Sequence, residues 1–322
     1  MKKILIVHTG GTISMKEDRL TGEVSVTDSH PLENLGGSSF EQRIEEDFLY
    51  NLPSPHITPY HMINLAKHMK EKIQTNNYSG IVVTHGTDTL EETAYFLDLY
   101  LQATIPIVIT GAMRSSNEIG SDGLYNLLSA IKVVSTHDSV DKGVLVVMND
   151  EIHTAKYVTK TSTSNVATFQ SPQFGPIGII TKQSVHFYQK LITDEVYPVS
   201  NLTKKVALIK TYAGMESTLI EAIYQSGIDG LIIEGLGQGN VPETLVKPLE
   251  TMLNNNVPIV LVSRCFKGIV QPTYSYNGGG KQLKDMGVIF TNGLTGPKAR
   301  IKLLIALEIT QNIYELQRIF DL

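Results

Sequence analysis

Two stretches of this sequence hold hydroxyls where acyl-transfer chemistry would use them. HTGGTIS (8–14) follows the apolar run Ile4-Leu5-Ile6-Val7, and the turn Thr84-His85-Gly86-Thr87-Asp88-Thr89 follows Ile81-Val82-Val83. Each ends an apolar, β-branched run with a glycine-containing turn and a threonine, Thr12 or Thr87. A threonine hydroxyl is a weak nucleophile and needs a base. His8 and His85 adjoin the turns, but histidines just inside a strand exit are generally satisfied members of a core. A lysine also serves when burial or neighbouring charge tunes it. The segment HTAKYVTKTSTSNVATFQSP (153–172) offers Lys156 and Lys160 among hydroxyls and no carboxylate. A lone lysine there reads as solvated surface; Lys160, flanked by Thr159 and Thr161, stands out because Asp88 gives it a partner. The glycine-rich turns would supply N–H groups to a developing oxyanion. The same residues have plainer readings. Gly10-Gly11 also suits a tight strand exit, and Thr89 or Asp88 ahead of Glu91-Glu92 suits a helix cap. Phosphate binding is disfavoured, because neither G-x-G-x-x-G nor G-x-x-x-x-G-K-[ST] occurs.

The elements that must position these residues follow from spacing. Short apolar runs at 4–8, 81–84, 107–110 and 144–148 read as buried parallel strands, with amphipathic helical patterns at 60–74 and 89–102 between them. This alternation predicts an α/β fold whose larger N-terminal domain has a doubly wound, mostly parallel sheet. Sites in such sheets lie beyond the carboxyl ends of strands. If the first two strands flank the switch point, Thr12, Thr87 and Asp88 reach one small ligand. The polar stretch 191–203, with Pro198, separates a second, smaller α/β domain. The expected division is 1–190, a linker at 191–205, and 206–322. The second domain has strands at 206–210, 230–233, 258–262 and 288–290 and one long closing amphipathic helix at 298–320. The polar, glycine-containing segment 15–39 beside Thr12 reads as an active-site lid.

The 322 residues exceed the size of a typical single core, which favours two domains. Twenty-seven Lys+Arg against 32 Asp+Glu leave a net charge of −5, which argues against a nucleic-acid partner. The single cysteine, Cys265, excludes an intrachain disulfide and a cysteine-cluster metal site, and fits the cytoplasm. The apolar run after Met1-Lys2-Lys3 ends at His8, too short for a secretory h-region, so the chain is expected to begin near Met1. No segment has the length of a membrane span.

The motifs IVHTGGTIS and GIVVTHGTDTL resemble the two signatures of the bacterial-type L-asparaginases and glutaminase-asparaginases. TGAMRSSNEIGSDGLYNLLSA (110–130), VTKTSTSNVATFQSP (158–172) and GLGQGN (235–240) resemble that family in order. The likeness covers essentially the whole chain and points to a cytosolic, type I-like L-asparaginase with the flavodoxin-like asparaginase fold. It implies hydrolysis of L-asparagine to L-aspartate and ammonia through a β-acyl-enzyme, with no metal or organic cofactor. It also implies a homotetramer built as a dimer of dimers, or a homodimer, and no nucleic-acid or membrane partner. Carried over by motif, Thr12 is the nucleophile and Thr87 the second threonine, with Lys160 and Asp88 as its activating group. Asp88 also takes the substrate α-ammonium, Ser54 takes the α-carboxylate, and Gly11 and Asp88 offer backbone donors. Asn240 approaches from the second domain, of the same or a neighbouring subunit.

Two positions depart from the family pattern. No tyrosine lies between Ile13 and Leu49, where the family usually carries one on its mobile loop, and His56 stands where relatives often carry an acid. Cys265 matches an effector-site position of some cytosolic relatives, though a buried packing cysteine is the expectation here. Competing functions are a glutaminase-asparaginase, an ammonia-releasing amidotransferase subunit, which would be expected to carry an added N-terminal region, and a catalytically idle amino-acid sensor.

Overall fold

The computed structural model describes residues 3–18, 20–26, 43–102, 104–190 and 195–321. They form two compact units, Met1–Val196 and Tyr197–Leu322. The first begins with β1 (Lys3–His8), the β2 (Met15–Glu17) and β3 (Val24–Val26) hairpin, β4 (Arg43–Phe48), helix α1 (Pro59–Thr75), β5 (Tyr78–Thr84) and α2 (Leu90–Tyr100). It continues with β6 (Ile107–Thr110), α3 (Gly123–Val134), β7 (Val144–Met148), β8 (Glu151–Thr154), the β9 (Thr159–Lys160) and β10 (Phe169–Gln170) pair, β11 (Gly178–Ile180) and β12 (Val185–Phe187). Eight strands join one sheet in the order β12-β11-β8-β7-β6-β5-β1-β4. From β4 to β7 the pairing is parallel, and β8, β11 and β12 extend it antiparallel.

The interior strands are runs of Ile, Leu and Val because both of their faces are covered. Ile4, Ile6, Val82, Val108 and Leu145 pack with Leu127, Ile131 and Val134 of α3 in one buried cluster. The edge strand β4 reads Arg-Ile-Glu-Glu-Asp-Phe and was absent from the sequence-based expectation. Two of its acids are held by side chains on neighbouring elements: Glu45 by Lys3 at 2.8 Å, and Asp47 by His68 at 2.8 Å and Lys72 at 3.0 Å. Charge on an edge discourages pairing with another chain, and it also hides the strand from a hydrophobic reading.

The chain leaves β1 toward β4 on one side and leaves β5 toward β6 on the other. The β1/β5 crevice is therefore the topological switch point, with His8 in register with Thr84. There the two turns meet backbone to backbone. Gly11 has φ 86° and ψ −178°, a region open essentially to glycine alone. A Cβ on it would lie 2.1 Å from Gly86 Cα, and one on Gly86 would lie 2.7 Å from Ser54 Cβ. Gly10, at φ 102°, likewise presses against Leu52, 2.4 Å from its N to a would-be Cβ.

The second unit comprises β13 (Val206–Lys210), α4 (Thr218–Gln225), β14 (Gly230–Gly235), α5 (Val246–Asn254), β15 (Ile259–Ser263), α6 (Gly280–Asp285), β16 (Ile289–Phe290), α7 (Gly296–Ile309) and α8 (Ile313–Asp321). Its four strands form a parallel sheet in chain order. The single closing helix expected at 298–320 is in fact two. Thr310 is extended, at φ −149° and ψ 150°, and Asn312 Oδ1 accepts the Tyr314 N–H at 2.9 Å, starting a new helix. Of these two helices, only α8 is amphipathic. Helix α7 is buried nearly throughout, Lys298 and Lys302 included.

Cys265 also departs from expectation: it is exposed, because β15 ends at Ser263 and residues 264–269 run over the surface. Within the expected lid at 15–39, the β2–β3 hairpin is described, while residue 19 and residues 27–39 lie outside the described residues, as do 191–194 of the expected linker. Among the described residues no helix is long and apolar enough to cross a membrane.

The close approach of the two turns makes a testable demand. Gly11→Ala combines a glycine-only conformation with a backbone clash and is expected to cost at least about 3 kcal/mol in urea unfolding. Gly22, at φ 73° with nothing nearer than 4.0 Å, is the control, and its alanine variant is expected to lose only about 1–2 kcal/mol. Equal losses at the two positions would show that the contact is not a constraint.

Candidate active site

Three further segments join Thr12 at the carboxyl ends of β1 and β5. Thr12 opens a short helical turn, Thr12–Ser14, in which the Ser14 N–H and hydroxyl both donate to the Gly11 carbonyl, at 2.9 and 2.8 Å. Thr87 and Asp88 lead from β5 into α2. Ser54 begins another short turn, Ser54–His56, after Pro53. Lys160 arrives on β9, and its Nζ donates to Thr87 Oγ1 at 3.0 Å and to Asp88 Oδ1 at 2.6 Å. Thr87, Asp88 and Lys160 are thus one bonded trio. Ser54 is tied to it through the Asp88 N–H, which donates to Ser54 Oγ at 3.1 Å. Thr12 stands one residue beyond the Gly11–Gly86 contact and is half-buried.

The ion pair of this trio is unevenly exposed: the side chain of Lys160 is 17% accessible and that of Asp88 59%. A pair so open to water contributes little Coulombic stability. Its effect is orientation: Asp88 holds one side of the ammonium while Thr87 receives another of its N–H bonds.

The trio and its surroundings correct several expectations. Thr89 is the N-cap residue of α2 by position, but its hydroxyl does not cap; it donates to the Ser54 carbonyl at 2.8 Å. With Asp88 N–H on the Ser54 hydroxyl, that amide is already engaged, so it is not an open oxyanion donor as expected. Lys156, the other candidate lysine, pairs with Glu195 at 2.6 Å and lines a separate cavity of about 220 Å³ with Tyr157 and Phe174. Asn240 lies in the second unit, where its Oδ1 accepts the Gly280 N–H at 3.1 Å. Among the described residues no cluster of His, Cys, Asp and Glu would hold a metal ion.

Both turn histidines are structural. His8 is fully buried, its Nδ1 2.9 Å from Thr84 Oγ1. His85 is fully buried with Nδ1 2.8 Å from the Gly86 carbonyl and Nε2 2.9 Å from Thr93 Oγ1. A carbonyl only accepts, so Nδ1 carries the proton and Nε2 accepts from the threonine. Burial pushes the His85 pKa down to about 4. A neutral ring thereby fixes the carbonyl of Gly86, the residue against which Gly11 packs.

Other contacts escaped sequence reasoning because they join distant segments. The Asn117 side chain bonds both the N–H and the carbonyl of Glu17 at 2.8 Å, and Ser116 donates twice to the Met15 carbonyl. The loop after β6 thus clamps the strand that leaves Thr12. The density of Ser, Asn and Gly in 115–123 signals a turn, but not what the turn grips.

The chain is similar to known proteins over nearly its whole length. Residues 3–193 match the family model described as Asparaginase, N-terminal, and residues 205–320 match the Glutaminase/Asparaginase C-terminal domain. An L-asparaginase of Bacillus licheniformis is 35% identical over 308 residues, 95% of each chain. A probable L-asparaginase of Deinococcus radiodurans is 36% identical over 324 residues, covering 99% of this chain and 97% of that one. A crystal structure of a probable cytoplasmic L-asparaginase from Campylobacter jejuni superposes with a TM-score of 0.89 at 31% identity over 99% of both chains. The chain belongs to the asparaginase/glutaminase family.

The buried histidine links the site to pH. His85 takes up a proton near pH 6.5 in the unfolded chain but only near 4 in the fold. Its contribution is therefore complete above about pH 6.5 and is lost as pH falls toward 4, at up to about 1.4 kcal/mol per pH unit. His85→Gln is expected to flatten the dependence of unfolding free energy on pH in that window by close to one proton, measured by urea titrations at several pH values. An unchanged slope would contradict the neutral assignment.

Proposed function

We propose that this chain is an L-asparaginase that hydrolyses L-asparagine to L-aspartate and ammonia, with Thr12 as the nucleophile. The observation that carries the reading is the Lys160 ammonium bridging the Thr87 hydroxyl and the Asp88 carboxylate beside the Gly11–Gly86 contact. Asparagine is a zwitterion with a short amide arm. Asp88 pairs with its α-ammonium and Ser54 binds its α-carboxylate, which leaves the amide to extend toward Thr12.

In the first half-reaction Thr12 Oγ1 attacks the amide carbon, forming a C–O bond. The carbonyl becomes an oxyanion received by the N–H groups of the Gly11 turn. The Thr12 proton passes to the departing nitrogen, the C–N bond breaks and ammonia leaves, with a β-acyl ester remaining on Thr12. In the second, a water oriented by the Thr87 hydroxyl that Lys160 holds adds to the ester carbonyl; its C–O bond forms, the bond to Thr12 Oγ1 breaks, one water proton passes to Thr12 and aspartate leaves. Splitting one hard amide hydrolysis into two acyl transfers is what a covalent intermediate contributes.

Likeness to a structure described as a probable cytoplasmic L-asparaginase, together with a single exposed cysteine, supports a cytoplasmic location. We further propose a homotetramer or homodimer, a reading that rests on family resemblance and is tested by light scattering.

Ammonia release from L-asparagine and L-glutamine tests the reaction. Thr12→Ala is expected to lower kcat/KM for asparagine by at least about 1000-fold while remaining folded, and Lys160→Met by at least about 100-fold. Turnover surviving in Thr12→Ala would remove that residue from the nucleophile role. Comparable parent rates on glutamine would indicate a glutaminase-asparaginase, and no turnover on either would indicate a sensor.

A further inference from the structure

We propose that Glu91 is a positioning residue for the reaction, acting through Thr159 on the aim of the Lys160 ammonium. The inference deepens the hydrolase reading above and rests on it. Lysine is a point charge on a flexible four-carbon stem, so its direction depends on how firmly its backbone is held. The backbone of Lys160 belongs to β9, two residues long and, among the described residues, paired only with β10 in a two-stranded ribbon outside the main sheet.

What ties β9 to the catalytic turn at the level of Lys160 is a side-chain bond. Buried Thr159 donates its hydroxyl to Glu91 Oε1 at 3.0 Å. Glu91 sits in the first turn of α2, where a carboxylate is favoured by the helix N-terminus. Thr87, Asp88 and Glu91, from one turn and the helix it opens, therefore grip the successive residues Thr159 and Lys160. Neighbouring strand residues face opposite ways, so a bond at Thr159 resists the rotation of β9 that would swing Lys160 off Thr87.

Loss of the Glu91–Thr159 bond has a directional consequence. Exposed Asp88 is free to follow the ammonium and keep the shorter bond, whereas buried Thr87 is fixed by its neighbours. The bond that lengthens is the one between Lys160 and Thr87, which holds the Thr87 hydroxyl in the direction that orients the water of deacylation. The Asp88 backbone stays bonded to Ser54 and its second carboxylate oxygen stays toward the substrate, so the contacts with the α-ammonium and α-carboxylate persist.

Steady-state kinetics of the full chain on L-asparagine test this. Glu91→Ala is expected to lower kcat by about 10- to 100-fold, with KM within about threefold of the parent. Glu91→Gln, which retains an acceptor oxygen, is expected to restore kcat to within about threefold. Thr159→Val should reproduce the alanine loss, Thr159→Ser should largely avoid it, and Glu91→Ala with Thr159→Val should fall no further than either alone. If Glu91→Ala does not fold, the Thr159 pair makes the same comparison. Unchanged kcat in Glu91→Ala and Thr159→Val, a loss in Glu91→Gln as large as in Glu91→Ala, or a loss carried by KM would each overturn the proposal. A parent without turnover overturns the hydrolase reading and this inference with it; an active parent with indifferent variants overturns this inference alone.

Discussion

The close contact between Gly11 and Gly86 is the constraint on which the rest of the first unit depends. Parallel strands deliver their carboxyl ends to one edge of a sheet, but side chains normally keep the following turns a residue's width apart. Two facing glycines remove that spacing, and a backbone conformation closed to other residues sets the direction in which Thr12 leaves. The cost is conformational entropy. It is offset by what surrounds the turns: buried His85 on the Gly86 carbonyl, Leu52 against Gly10, and Ser54 against Gly86.

Around this contact the site is organised by orientation more than by charge burial. Its one ion pair is open to water and weak as a stabiliser. The hydroxyls around it each have a fixed role: Thr89 on the Ser54 carbonyl, Ser54 on the Asp88 amide, Thr159 on Glu91. Such a network keeps polar atoms satisfied while leaving a carboxylate, an ammonium and hydroxyls at the mouth of one crevice. That combination suits a small zwitterion and does not suit a phosphate or a polyanion.

How much of this was readable beforehand depended on range. The apolar runs of β1, β5, β6 and β7 announced themselves because strands buried on both faces must be hydrophobic. Strand β4 did not, because three consecutive acids on an edge look like a loop. The break between α7 and α8 was missed since Thr310-Gln311-Asn312 interrupts no apolar period, and its cap is evident only once Asn312 turns back on Tyr314. Thr12, Thr87, Asp88 and Lys160 stand out in the sequence as motif chemistry, and Ser54 only through the family resemblance. Their supports do not: Glu91 and Thr159, or Asn117 and Glu17, are ordinary polar residues until folding joins segments far apart in the chain. Cys265 was misjudged because free cysteines are usually buried, and this one follows a strand that ends at the surface.

The most direct test of convergence above the β1/β5 crevice is a crystal structure of the protein with L-aspartate bound. The expected result is one aspartate with its α-ammonium on Asp88, its α-carboxylate at Ser54, and its side-chain carboxylate between the hydroxyls of Thr12 and Thr87. Aspartate bound away from this crevice, or a Thr12 hydroxyl directed into a different cavity from Lys160, would contradict it.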